Sequence, residues 1–180
     1  MKMSLSVLAG VLAFAAAGAA DLPSDAQIAA IVVTANQVDI DAGKFAVAKS
    51  TSPQVKEFAQ TMVTDHTGVN KAATELVTRL GVTPEPNATS ASLKKGGDDN
   101  LAALGKLSGA EFDRAYIEHE IAYHQAVIDA VDQTLIPGAK NAELRALLVK
   151  VRPAFVAHLE HARQLRSSLG KDGGLGKDGG

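Results

Sequence analysis

Five ionisable side chains fall where helices would keep their apolar faces. In "MVTDHTGVNKAATEL", His66 is in line with Met62, Val69 and Ala73. Glu120 and His124 lie one turn apart among Ile117, Ile128 and Val131, and His158 sits between Val151, Phe155, Ala162 and Leu165. Asp39 is about 40° from Ala35 at 100° per residue, among Ile28, Ala42 and Ala46. A buried carboxylate or imidazole without a partner costs several kcal/mol, so five of them must satisfy one another, water or an ion. Two carboxylates and three imidazoles are a competent ligand set for one divalent transition metal, and nitrogen favours Zn, Cu, Ni or Fe over Mg or Ca. Glu120 and His124, at i and i+4, can converge on one ion. A metal-free network in which imidazoles bridge carboxylates is the alternative. A metal-dependent oxidoreductase is a third reading.

Other polar residues stand outside this set. His161 is about 60° off the stripe, a rim position, and His119 points away beside Glu118, as a solvated residue would. Asp65 diverges from His66 by 100° and reads as an exposed or salt-bridged carboxylate. Tyr116 and Tyr123 read as core or boundary residues. No catalytic residue is legible: there is no Ser-His-Asp or Cys-His arrangement and no phosphate-cradling loop, and Cys is absent.

Four periodic segments must position the five side chains. The first runs from a cap at Ser24 or Asp25 to about Ser50. The second begins with Ser52 as cap and Pro53 at the first helical position, and stops at Gly81. The third opens with Ser108 and Glu111 as a capping box and ends at "PGAKN". The fourth extends from about Asn141 to Leu169, with Pro153 predicting a kink. Each candidate ligand lies within about three residues, roughly 5 Å, of its helix midpoint, so four packed helices would bring all five into one layer. The connection over 81–109 is polar, with a short helix at "NLAALGKL", and is long enough to cross the whole bundle before the third helix begins. That wiring predicts an all-α, ferritin-like four-helix bundle.

Composition agrees with packed helices: 46% of residues are hydrophobic, only 4% aromatic, and 21% charged. The net charge of −2 comes without a basic stripe, which argues against nucleic acid. "MKMSLSVLAGVLAFAAAGAA" has a lysine, an apolar run and small residues before Asp21, the pattern of a secretory signal peptide cleaved near Ala20. Removing Lys2 leaves 17 basic against 20 acidic residues, a charge of −3. The expectation is a 21–169 bundle domain in the periplasm or secreted, with no membrane span after cleavage, and a flexible tail over 170–180 ("GKDGGLGKDGG").

"VKEFAQTMVTDHTGVN", "FDRAYIEHEIAYHQAVID" and "LLVKVRPAFVAHLEHARQL", behind a signal peptide, together resemble the bacterial family called domain of unknown function 4142. The likeness covers about residues 24–168, with "MVTDH", "FDRAYI" and "AHLEHA" the most specific segments. The resemblance implies a ferritin-like bundle in an exported protein and brings no activity with it. Asp39 stands where such relatives carry an acidic residue, and His66, His124 and His158 match their recurring histidines. No glutamate here has a histidine three residues later, so the usual di-iron ligand set is incomplete and a mononuclear, histidine-rich site is the better metal hypothesis.

Overall fold

Helices account for most of residues 22–172, the part of the chain that a computed structural model describes. The signal peptide read over 1–20 lies outside them, as does most of the tail. The order is α1 (Asp25–Lys49), α2 (Pro53–Arg79), α3 (Ala88–Gly105), α4 (Gly109–Ala130), a π-helical turn (Val131–Leu135), the single turn α5 (Ile136–Gly138) and α6 (Ala142–Asp172). No strand occurs among the described residues. The last helix runs to Asp172, into the segment expected to be tail, and it continues through Pro153.

Local chemistry sets the ends. Ser24 caps α1 in a reciprocal box with Gln27, their two bonds measuring 3.2 and 3.1 Å. Asp25 instead accepts from the backbone N–H groups of Lys140 and Asn141, tying the start of α1 to the turn before α6. Ser52 caps α2, with Pro53 first in the helix. The Ser108–Glu111 box predicted for α4 does not form: Ser108 is the cap residue but its side chain makes no capping bond. Gly109 follows it at φ 54°, a left-handed value that takes the first turn out of the geometry a capping box needs.

The connection before α4 is the largest departure from expectation. Its polar middle, "ATSASLKKGGDDNLAALG", is one 18-residue helix. Asn87 caps it, accepting from Thr89 and Ser90, while Ser90 returns the bond to the Asn87 N–H. Lys94–Asp98 and Lys95–Asp99 pair at i, i+4 on its exposed side. Gly97 lets the other side close on α1, because a Cβ there would stand 2.8 Å from a Val38 methyl.

The apolar interior is in two parts. One holds Ile28 and Val32 of α1, Ala73 and Leu76 of α2, Leu93 of α3, Ile128 of α4, and Leu148 and Phe155 of α6. The other holds Ala42 and Ala46, then Val55, Phe58 and Met62, then Leu104, Phe112 and Ile117, and finally Ala162 and Leu165. Following each helix through the two parts gives its direction: α1, α3 and α6 pass from the first to the second, and α2 and α4 pass back. The end of α2 and the start of α4 therefore lie at opposite ends, and α3 spans that distance. Helix α1 packs on α2, α4 on α6, α2 also on α6, and α3 along α1.

The α1–α2 contact is close because Gly43 carries no side chain. A Cβ at Gly43 would sit 2.9 Å from a Val63 methyl and 3.0 Å from the backbone oxygen of Ala59. Since that oxygen cannot rotate away, Gly43→Ala should force the helices apart. The net loss should be about 1–2 kcal/mol after the gain in helix propensity, read by urea unfolding. An unchanged midpoint would show that the contact yields easily.

Candidate metal centre

Between the two apolar parts lies a polar layer, to which α1, α2, α4 and α6 contribute. Asn36 and Asp39 come from α1, His66 from α2, Glu120 and His124 from α4, and His158 from α6, all buried. The five residues singled out in the sequence are thus brought together. One ligand atom from each of His66, His124 and His158 lies within 4.8 Å of the others, and the same holds for Asp39, Glu120 and His124.

The hydrogen bonds determine where the imidazole protons sit. A neutral imidazole donates from one nitrogen and keeps a lone pair on the other. The Asn36 amide donates through Nδ2 to the Val32 carbonyl at 2.8 Å, so its Oδ1 is the atom 2.7 Å from His66 Nδ1. His66 Nδ1 therefore donates and Nε2 is bare. His124 Nδ1 donates to the backbone oxygen of Glu120 at 3.0 Å, which leaves its Nε2 bare. His158 Nε2 donates to Asp65 Oδ2 at 2.9 Å, which leaves Nδ1 bare. Each ring is held by a partner on its outer nitrogen, the arrangement that orients metal-ligating histidines.

The inner atoms have no such partners. His66 Nε2, His124 Nε2, His158 Nδ1, both oxygens of Asp39 and Glu120 Oε2 are buried without a hydrogen bond. All six offer lone pairs as they stand, and lone pairs that face one another are satisfied by a cation, by a proton held between neighbours or by water. Asp39 Oδ2 is 3.1 Å from His66 Nε2 and 3.5 Å from His124 Nε2. The three ring centroids form a nearly equilateral triangle with sides of 5.5, 5.3 and 5.3 Å. Zn–N bonds of about 2.05 Å in a tetrahedron would place ligand atoms about 3.3 Å apart and imidazole centroids about 5.2 Å apart. The residues fit one such ion.

Burial dominates the electrostatics. It pushes the Asp39 carboxyl up to about 7. It pushes Glu120 well above the carboxylate range, with the neighbouring Asp39 charge adding to it. It also holds His124 down at about 3 and His66 well below its usual value, reinforced by the neighbouring imidazoles. Neutral rings with exposed lone pairs are the form in which histidine binds metal.

One contributor escaped the sequence reading, and so did the role of a second, Asp65, which is the exposed, salt-bridged carboxylate expected. Asn36 is an uncharged amide on the same face as Asp39, three residues away. Asp65 does leave the layer, as its 100° divergence requires, with its side chain 46% exposed, but it reaches across to α6 and holds His158. His119 is half-buried rather than solvated: it stacks on Tyr123 at 5.7 Å, and burial lowers it to about 4. His161 is exposed, edge-on to Phe58 at 5.2 Å, and takes no part in the layer. Tyr123 donates to the Ala35 carbonyl, whereas the buried Tyr116 hydroxyl has no partner.

No curated protein and no solved structure matches the chain. The family model described as a domain of unknown function (DUF4142) matches residues 10–165, most of the chain's length, and the chain belongs to that family.

Proposed function

We propose that α1, α2, α4 and α6 form a ferritin-like four-helix bundle that holds one divalent transition metal. His66, His124 and His158 would be its nitrogen ligands and Asp39 its carboxylate ligand, with Glu120 alongside as a second carboxylate. The observation that carries the reading is the set of three imidazoles, each fixed from outside and each with a bare nitrogen, with one ligand atom of each within 4.8 Å of the others. Zn, Cu, Ni or Fe suits this donor set. The reading extends to an exported protein, directed by residues 1–20, that buffers metal or serves an envelope stress response. No helix among the described residues is long and apolar enough to cross a membrane.

The metal-free network is the second reading, and one distance favours it. Asp39 Oδ2 and His66 Nε2 are close enough to share a proton, and Asp39 is raised far enough to keep one near neutral pH.

Metal analysis of untagged protein purified from the periplasm separates the two. About one equivalent of a transition metal is expected, and less than about a tenth of an equivalent would overturn the metal reading. Asp65→Ala should weaken metal binding by about 10–100-fold by freeing His158 to rotate, with helix content unchanged. A titration followed by calorimetry and circular dichroism reads both. An unaltered affinity would mean that His158 is not a ligand.

A further inference from the structure

One space in the molecule is left unexplained by the metal layer. A cavity of about 30 Å³ lies beside the layer, bordered by α1, α3, α6 and the rod that α4 forms with the π turn. Its wall includes Val32, Ala35, Tyr123, Val131, Leu135 and Phe155, and the layer supplies only His66 and Asn36.

Its surface is dry for a specific reason. The Asn36 amide is committed at both ends, to Val32 and to His66. The Tyr123 hydroxyl is committed to Ala35, and His66 Nε2 faces Asp39. No polar atom reaches the cavity. A water needs roughly 10–15 Å³ and two to four polar partners; this space has the room and none of the partners. Apolar cavities of this kind stay empty of water and take small apolar guests.

The cavity is built where the helix is irregular. Ile136 N–H bonds to Val131 O, five residues back, so this turn is wider than an α-turn. Pro137 follows at once; it has no N–H, and its ring would collide with the Gln133 carbonyl in a regular α-helix. The wide turn relieves that collision and directs both Val131 and Leu135 inward, with a space between their side chains and α1. Such turns occur often at functional sites.

We propose that this cavity is a binding site for a neutral apolar molecule of diatomic size, of the dioxygen class, held against the ring of His66. The site itself stands without the metal. Its use, bringing such a molecule to the edge of the centre, rests on the proposed function.

Xenon and dioxygen are suitable probes, applied to the metal-free chain so that a failure of the metal reading cannot be mistaken for a failure of this one. In methyl NMR spectra, xenon should shift Ile31, Val32, Val131 and Leu135 in a saturable manner, while Val55 and Ile117 in the other apolar part stay put. Oxygen-saturated buffer should speed relaxation of the same methyls several-fold relative to argon. Val131→Phe should abolish both effects by filling the space. Ala35→Val, a smaller change, should reduce them should the phenylalanine variant fail to fold. Absence of a selective shift in the native chain, equal effects on both apolar parts, or a water signal in the cavity would overturn the proposal.

Discussion

Zinc added to metal-free protein should raise the melting temperature by about 8–16 °C once free metal exceeds the dissociation constant about 1,000-fold. An ion that binds only the folded state contributes RT ln(1 + [L]/Kd), about 4 kcal/mol at that ratio. For a domain of this size each kcal/mol corresponds to roughly 2–4 °C. His124→Ala should reduce the increment to a degree or two. This residue belongs to both ligand clusters and has a bare nitrogen 3.5 Å from Asp39. The increment, rather than the melting temperature itself, is the readout, because deleting a buried ring destabilises the chain with or without metal. Equal increments in the native chain and the variant would place the metal elsewhere.

Without metal, stability should peak near about pH 6 and decline on either side. The two limbs have opposite origins. Asp39 titrates at about 7 in the folded chain, and Glu120 well above its ordinary value. From about pH 4 upward the unfolded chain releases protons that the folded carboxyls retain, so these two groups cost stability as pH rises. His124 at about 3, His119 at about 4 and the similarly lowered His66 act in reverse. Below about pH 6.5 the unfolded chain takes up protons that the folded rings refuse, so stability is lost as pH falls. Above about pH 6.5 only the carboxyl limb is left. Asp39→Asn should remove the Asp39 share of the carboxyl cost, leaving the Glu120 slope, and make the metal-free variant more stable than the native chain at pH 8 by about 2–4 kcal/mol. Urea unfolding between pH 5 and 8.5 tests this. A native profile that is flat above pH 6.5 would mean that the carboxylates are already compensated. The same substitution should weaken metal binding, so stabilisation without metal and loss of binding should appear together.

What could be read from the sequence, and what could not, follows from how each residue is held. The four long helices were legible because their apolar residues recur at helical spacing. Asp39, His66, Glu120, His124 and His158 were legible because each interrupts such a stripe. Of helix α3 only the end, within the short helix read at "NLAALGKL", was legible, because the rest depends on relations invisible to a hydrophobic pattern: a polar cap at Asn87, lysine–aspartate pairs, and a glycine whose missing side chain lets Val38 lie against it. The π turn depends on Pro137 acting backward on the preceding turn. Asn36 was passed over because it carries no charge, although its amide decides which His66 nitrogen is bare. Asp65 leaves the face of its own helix, and its partner is 93 residues away on another. Ionisable residues on a helix face betray themselves by spacing; the groups that orient them belong to other faces and other helices.

The division of the interior also bears on how the chain opens. Each apolar half draws on the ends of α1, α2, α4 and α6, so neither half is a contiguous piece of chain that could detach by itself. The seam between them is held by polar groups that, without a cation, are left with few hydrogen bonds beyond the protons that Asp39 and Glu120 retain. Slow amide exchange should therefore concentrate toward the two ends of the bundle. The middle turns of α1, α2, α4 and α6 should breathe most, the reverse of the fraying usual for helices. Filling the centre would close that seam and join two weakly linked halves into one cooperative unit.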